Sequence, residues 1–324
     1  MICEAFVWVE GQGQQQYVGG VGEGEGEGDG KEWSCYIEVD EGVKGGLIKH
    51  LKRHKLRAKV QIEEPREEYS IEVCLGVSVH EVQDSLQPVL EKKKNPESGP
   101  LLLADPRAPE MGTRVLFRGQ AADDIPEWAL RIDNIRGFNR SSSVYDAYRY
   151  SLGIPEGPKE IIPGTSLPME CNFDLFDAID WRKGCYVGQE LTIRTKHTGV
   201  VRKRILPVDL FVPEGAELDS GMLDDVDIRV LGEDGKMVKG GRPVGRVLRN
   251  VDGRVGLAVC RLEAMTPIRV TAEGGSWRPG MRFGVEVQGM GMVEVVPRLP
   301  GWLVEREREI WGKGREKRVV GKGE

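Results

Sequence analysis

The last third of the chain is cut into short runs of strand-forming residues, and this pattern limits the fold more than any other feature. Residues 204–210, 227–231, 242–250, 254–260, 268–271 and 283–287 each alternate or cluster β-branched and aliphatic side chains. Turn signals such as Glu233-Asp234-Gly235 and Val251-Asp252-Gly253 separate them, and residues 293–297 add a candidate last strand. A short strand cannot bury an apolar face alone. About a hundred residues of such strands close into a small barrel or pack as a sandwich. Residues 298–324 follow with mixed charges and glycines and read as a mobile tail, with Trp302 and Trp311 as candidate anchors.

Upstream the periodicity is mixed. Residues 5–9 and 34–39 read as the two strands of a hairpin. Between them, residues 11–32 form an acidic, glycine-rich insertion ending in Gly22-Glu23-Gly24-Glu25-Gly26-Glu27-Gly28-Asp29-Gly30, a composition expected to stay solvated and disordered. Val43, Leu47, Leu51 and His54 recur at helical spacing, which predicts an amphipathic helix over 43–55. Lys49, Lys52, Arg53, Lys55, Arg57 and Lys59 form its outer side and the step into the next strand: a solvated face, or an anchor for an anionic ligand or an acidic partner. Residues 59–62 and 69–79 read as strands, 82–94 as a surface helix and 113–117 as a short strand. Residues 143–152 read as a helix with a Ser143/Asp146 capping box and a stop at Gly153-Ile154-Pro155.

The chemistry concentrates in Lys183-Gly184-Cys185-Tyr186-Val187-Gly188-Gln189-Glu190. A thiol of ordinary pKa, about 8.5, is mostly protonated at neutral pH. Cations and helix N-termini favour the thiolate, the form that attacks electrophiles and binds metals. Arg182 and Lys183 precede Cys185, Arg194 is a further candidate cation, and residues 189–197 predict a helix that stops at Gly199. Glu190 and Arg194 stand at i,i+4 in the favourable order. Gly184 and Gly188 permit a tight loop around the thiol. A small buried apolar cysteine is the bland alternative. The other cysteines, at 3, 35, 74, 171 and 260, make no CxxC pair and no zinc-finger spacing. A cluster needs about four ligands, so Cys185 can hold one only together with a partner.

These eight residues resemble the signature of the YgfZ-type proteins. These are relatives of the glycine-cleavage aminomethyltransferase, and their eukaryotic members are mitochondrial iron–sulfur cluster assembly factors. The likeness extends, in order, through residues 50–60, Asp105-Pro106-Arg107 with Gly112-Thr113-Arg114, Tyr148-Arg149, residues 153–157 and Pro168-Met169-Glu170-Cys171-Asn172-Phe173-Asp174. It implies an α+β, folate-binding (aminomethyltransferase-like) body over residues 1–200 and a small C-terminal β-barrel over 201–297. It also implies a role in maturing four-iron clusters, with A-type scaffold proteins and recipient iron–sulfur enzymes as partners, in the mitochondrial matrix. By resemblance Cys185 is the essential thiol and shared cluster ligand, set in a signature loop of Lys183, Gly184, Tyr186, Gly188, Gln189 and Glu190. Arg149, Glu170, Asn172, Asp174 and Arg194 are the candidate cofactor-binding residues, and tetrahydrofolate is the cofactor such a body could hold. Residues 1–9 resemble a strand well inside the family's first domain, so the segment that helps build the folate pocket is expected to be missing.

Composition bounds the alternatives. The 324 residues suit two domains, and 39% apolar content supports a sizeable core. A formal net charge of −6 argues against general nucleic-acid binding, and no eighteen-residue apolar run predicts a membrane span. Residues 1–10 carry no Lys or Arg and read as neither signal nor transit peptide. The resemblance favours an assembly factor over an enzyme. A tetrahydrofolate-dependent aminomethyl- or methyl-transferase is the competing reading. Thiol catalysis with His197 as base is disfavoured, since a helix of that length sets the imidazole about 12 Å from the helix start.

Overall fold

The computed structural model describes residues 5–10, 34–65, 69–90, 99–118, 142–182, 184–186, 188–216, 218, 221–238, 240–271 and 273–312. The chain divides into two compact units, Ile2–Arg140 and Ser141–Glu324. The sequence places the boundary near residue 200. In the structure the helices and turns that precede the barrel belong to the same compact unit as the barrel and pack onto its outer surface.

In the first unit β1 (Phe6–Glu10) and β2 (Ser34–Glu38) form the expected antiparallel hairpin, with Phe6 opposite Glu38 and Glu10 opposite Ser34. The insertion at 11–32 lies outside the described residues. α1 (Glu41–His54) starts where the Asp40 carboxylate accepts from the Gly42 N–H, and it ends on Lys52, Arg53 and His54, which suit the negative end of a helix. None of its residues is fully buried. Val43, Leu47 and Leu51 are half-covered, and the predicted basic side faces solvent.

Two strand expectations fail in this unit. Residues 59–62 form no ladder and are almost wholly exposed. The run 69–79 is a strand only in its first half: β3 (Tyr69–Cys74) turns at Gly76, and α2 (Val79–Leu90) begins. The reason is a capping box. The Ser78 N–H and hydroxyl both donate to Glu81 Oε2, and Glu81 N–H donates back to Ser78 Oγ. The alternating Val77, Val79 pattern conceals it. β4 (Leu101–Ala104) and β5 (Thr113–Arg118) complete an antiparallel sheet of order β3-β5-β4. Gly112, at φ 95°, lets β5 pass close to β3, since a Cβ there would lie 2.1 Å from the Cys74 carbonyl oxygen. The segment that resembles the family's central region forms a buried ionic group: Arg107 grips Asp105, Arg114 grips Glu38, and both guanidiniums stack on Phe6.

The second unit opens with α3 (Ser142–Leu152) and α4 (Gly157–Glu160). Ser143 lies inside α3, and the Asp146 carboxylate accepts from Arg149, so the predicted capping box is not the start of the helix. α5 (Gln189–Thr198) follows the cysteine segment. Six strands then close a barrel: β6 (Lys203–Phe211), β7 (Val226–Leu231), β8 (Gly245–Val251), β9 (Val255–Arg261), β10 (Arg282–Val287) and β11 (Gly291–Pro297). The order is β10-β11-β6-β9-β8-β7, and β10 pairs with β7 to leave no open edge. Barrel, not sandwich, is the outcome.

Successive residues on β6 and β9 serve opposite faces. Leu206 and Ala258 fill the barrel, whereas Ile205 and Leu257 pack outside it with Tyr150, Ile161 and Cys171. Residues 268–271, expected as a strand, are not one. The N–H groups of Val270 and Thr271 donate to Glu263 Oε1 at the start of α6 (Leu262–Met265), so a carboxylate takes the place of a neighbouring strand. Residues 298–312 are no mobile tail either. α7 (Gly301–Glu307) and the π turn Arg308–Gly312 bury Leu303 in the barrel cluster and Trp311 against Met169 and Val201. Residues 313–324 lie outside the described residues.

Candidate functional site

The segment leading to the cysteine is built from tight turns, with Asn172 and Asp177 both at positive φ. Asn172 tolerates that geometry, and its buried side-chain N–H₂ donates to the carbonyls of Gly153 and Ile205 at 3.2 and 2.7 Å. Two residues on, Asp174 accepts a two-pronged bond from Arg204 of β6 at 2.9 and 2.8 Å. Arg204 has no exposed surface, and it also donates to the Met169 carbonyl at 2.9 Å. The Trp311 indole N–H donates to Asp174 Oδ2 at 2.7 Å. One buried carboxylate thus ties the lead-in to the barrel and to the C-terminal helical segment. Glu170 is half-buried; its carboxylate pairs with Lys203 at 3.0 Å and its carbonyl accepts from the Ile205 N–H.

Arg149 is buried as well. Its guanidinium meets Glu160 at 2.6 and 2.8 Å, Asp146 at 2.9 Å and the Ile154 carbonyl at 3.1 Å. Glu160 further accepts from the Tyr150 hydroxyl at 2.6 Å and from the Glu156 N–H at 2.8 Å. Burial opposes the charge on Arg149, but the hydrogen bonds and charge of Glu160 outweigh it and hold the guanidinium above its ordinary range. Burial and then the Glu160 charge push the Tyr150 hydroxyl up. The prongs expected for a ligand carboxylate are therefore occupied by Glu160.

Beyond Trp181 the chain turns outward. Arg182 N–H donates to Asp180 Oδ1 at 2.8 Å, and Gly184, Cys185 and Tyr186 are exposed. Lys183, one of the two predicted cationic neighbours, lies outside the described residues, as does Val187. Gly188 sits at φ 87° immediately before α5, a conformation that favours glycine. Gly184 does not adopt a positive φ, so only the second glycine is required by the backbone. Gln189 closes the loop from the other side: its Oε1 accepts from the Tyr186 N–H at 3.1 Å, and its N–H donates to the Tyr186 carbonyl at 3.3 Å. α5 buries only Thr192. Glu190 and Arg194 are exposed and make no ion pair with each other among the described residues. His197 lies exposed in the last turn, and Gly199 ends the helix at φ 58°. Lys196 lies over the Trp181 ring at 4.5 Å and the Trp311 ring at 5.5 Å.

Among the described cysteines, Cys185 is exposed, Cys35 is half-buried and Cys74, Cys171 and Cys260 are buried. Burial pushes the Cys260 thiol up to about 12, and burial with the Glu72 charge pushes Cys74 up to about 11. No group of three or more His, Cys, Asp or Glu with metal-holding geometry occurs among the described residues. The fold therefore brings Cys185, Tyr186, Gly188 and Gln189 together at one surface. Asn172, Asp174 and Arg149 go to interior networks instead. Arg204 and Trp311, which meet Asp174, and Lys196, which lies over the Trp181 and Trp311 rings, were not picked out from sequence as site residues. Arg204 follows Arg202 and Lys203 in a basic run at the head of β6, which reads in sequence as a solvated charge and gives no signal of its burial.

A family model described as CAF17, C-terminal beta-barrel domain, matches residues 202–305, the stretch that forms the closed barrel. The chain is 40% identical over 331 residues to the "Iron-sulfur cluster assembly factor IBA57 homolog, mitochondrial" of Phaeosphaeria nodorum, an alignment covering 97% of this chain and 71% of the relative. The proteins of the same name from Aspergillus oryzae and Neurospora crassa are 38% and 36% identical, over 82% and 86% of this chain and 64% and 66% of theirs. The chain thus spans about two thirds of the length of these relatives. With a barrel of the matching kind and a likeness running through nearly all of its residues, the chain belongs to the family of mitochondrial iron–sulfur cluster assembly factors represented by the IBA57 homologs.

Proposed function

We propose that this chain acts in iron–sulfur cluster assembly in the mitochondrial matrix by offering the Cys185 thiolate as one ligand to a cluster that an A-type scaffold partner also holds. The cluster is cargo on its way to four-iron recipient enzymes. The observation that carries this reading is the contrast among the thiols: Cys185 is exposed on a loop closed by Gly188 and Gln189, while Cys74, Cys171 and Cys260 are buried. A thiolate binds iron only where it can be reached and deprotonated, and burial raises the cost of deprotonation. Cys185 supplies one of about four ligands, so the others come from the partner.

A folate role receives no such support. Of the residues that resemblance assigns to tetrahydrofolate, Arg149, Asn172 and Asp174 direct their polar atoms to Glu160, to backbone carbonyls and to Arg204. They do not fit a ligand pocket.

The test mixes the purified chain with an A-type scaffold carrying a two-iron cluster. The chain forms a heterodimer with altered visible absorption, and Cys185→Ser abolishes it while shifting Tm by no more than about 2 °C, as expected for an exposed substitution. A Ser variant that assembles like the unsubstituted chain refutes the proposal.

A further inference from the structure

The loop that carries Cys185 has no apolar core of its own. From Trp181 to Leu191 every described residue is exposed except the half-covered Gln189. Its geometry must therefore be held at its base. Trp181 stands where the loop begins and is 38% exposed, so part of its ring faces solvent and part is covered, with Lys196 over its face. Lys196, in the last turn of α5, is on the helix into which the loop leads. Its ammonium sits between the rings of Trp181 and Trp311, at 4.5 and 5.5 Å. Trp311 is fixed: it is buried, and its indole N–H donates to the Asp174 carboxylate that Arg204 grips from the barrel.

We propose that Lys196 is a positioning residue for Cys185, a cation clamped between two indoles that ties the start of the loop, the helix after it and the barrel-anchored Trp311 together. This rests on the reading of Cys185 as a cluster ligand. A point charge suits the role, because an aromatic face attracts a cation without demanding one hydrogen-bond angle, and two faces share it. A neutral side chain of similar length fills the same space but loses the attraction. Cation–π contacts at partly exposed sites favour the closed loop by about tenfold for the pair. The role is mechanical: Lys196 does not touch the cargo, and it acts through the ring of Trp181 on the loop that presents the sulfur.

The clamp is read first without any cluster, by hydrogen exchange at the Tyr186 and Gln189 amides, which are bonded across the loop. In Lys196→Met their protection falls about tenfold while Tm stays within about 2 °C; in Lys196→Arg, which keeps a cation able to stack on indole, protection stays within about twofold. Unchanged protection in the Met variant, or equal loss in the Arg variant, overturns the clamp. The second arm follows heterodimer formation with an A-type scaffold carrying a two-iron cluster. The rate falls several-fold in Lys196→Met and is restored in Lys196→Arg. A Met variant with a loosened loop and an unchanged rate overturns the positioning role. Full complex formation by Cys185→Ser would instead overturn the cluster-ligand reading and leave the exchange result standing.

Discussion

Glu160→Ala is the sharpest test of how the second unit is held together. Glu160 is buried and accepts four hydrogen bonds: two from Arg149 at 2.6 and 2.8 Å, one from Tyr150 at 2.6 Å and one from the Glu156 N–H at 2.8 Å. Removing the carboxylate leaves a buried guanidinium with Asp146 and the Ile154 carbonyl but without its two-pronged partner. Breaking a buried pair from one side costs about 3–5 kcal/mol, mostly because the remaining charge has lost its water and its main partner. For a unit of this size, each kcal/mol lowers Tm by about 2–4 °C, so the melting of the second unit falls by about 6–20 °C. The double variant Arg149→Met/Glu160→Gln removes both charges and keeps an acceptor for the Tyr150 hydroxyl. It should recover most of that loss, since apolar replacement of a buried pair is often neutral. The assay is thermal unfolding followed by circular dichroism. A loss below about 2 °C in the single variant, or a double variant no better than the single, refutes the argument and frees Arg149 for a ligand after all.

Two further outcomes are expected. Site-resolved labelling with iodoacetamide at pH 8 modifies Cys185 and leaves Cys260 and Cys74 untouched, because burial pushes those thiols up to about 12 and about 11 and also blocks the reagent; labelling at Cys260 before Cys185 would contradict the buried and exposed assignments. Burial opposes ionisation of Glu263, but the N–H groups of Val270 and Thr271 and the Thr271 hydroxyl outweigh it and hold the carboxyl below its usual range. A depressed folded pKa gives stability that is present above the unfolded value, about 4.3, and lost as pH falls through the folded one. Exchange protection at the Val270 and Thr271 amides should therefore drop selectively in acid, an effect absent from Glu263→Gln, and a pH-independent profile would refute it.

Local signals carried a large share of what was legible in the sequence. Residues 189–197 read as a helix ending at Gly199, and α5 runs Gln189–Thr198 with that glycine at φ 58°. The strand–turn rhythm marked a β-rich end, barrel or sandwich, because each run and each turn is decided by its own few residues. The failures are equally local in cause. The Ser78/Glu81 box hid inside an alternating run, and Ile268–Thr271 has strand composition but finds a carboxylate instead of a ladder.

What composition and spacing alone determined is the inventory: a β-rich end with helical segments before it, one thiol set among glycines, and no span for a bilayer helix. They could not say where a buried charge goes. Asp174 meets Arg204 across thirty residues, and Trp311 meets Asp174 across far more. Lys196 meets the distant Trp311 only because the C-terminal segment docks beside it. Periodicity reports which face of an element is apolar. Only the tertiary fold decides which polar groups are left to pair once water has been excluded. That is why Arg149, Asn172 and Asp174 pair inside the fold, and why the loop bearing Cys185 kept its exposure.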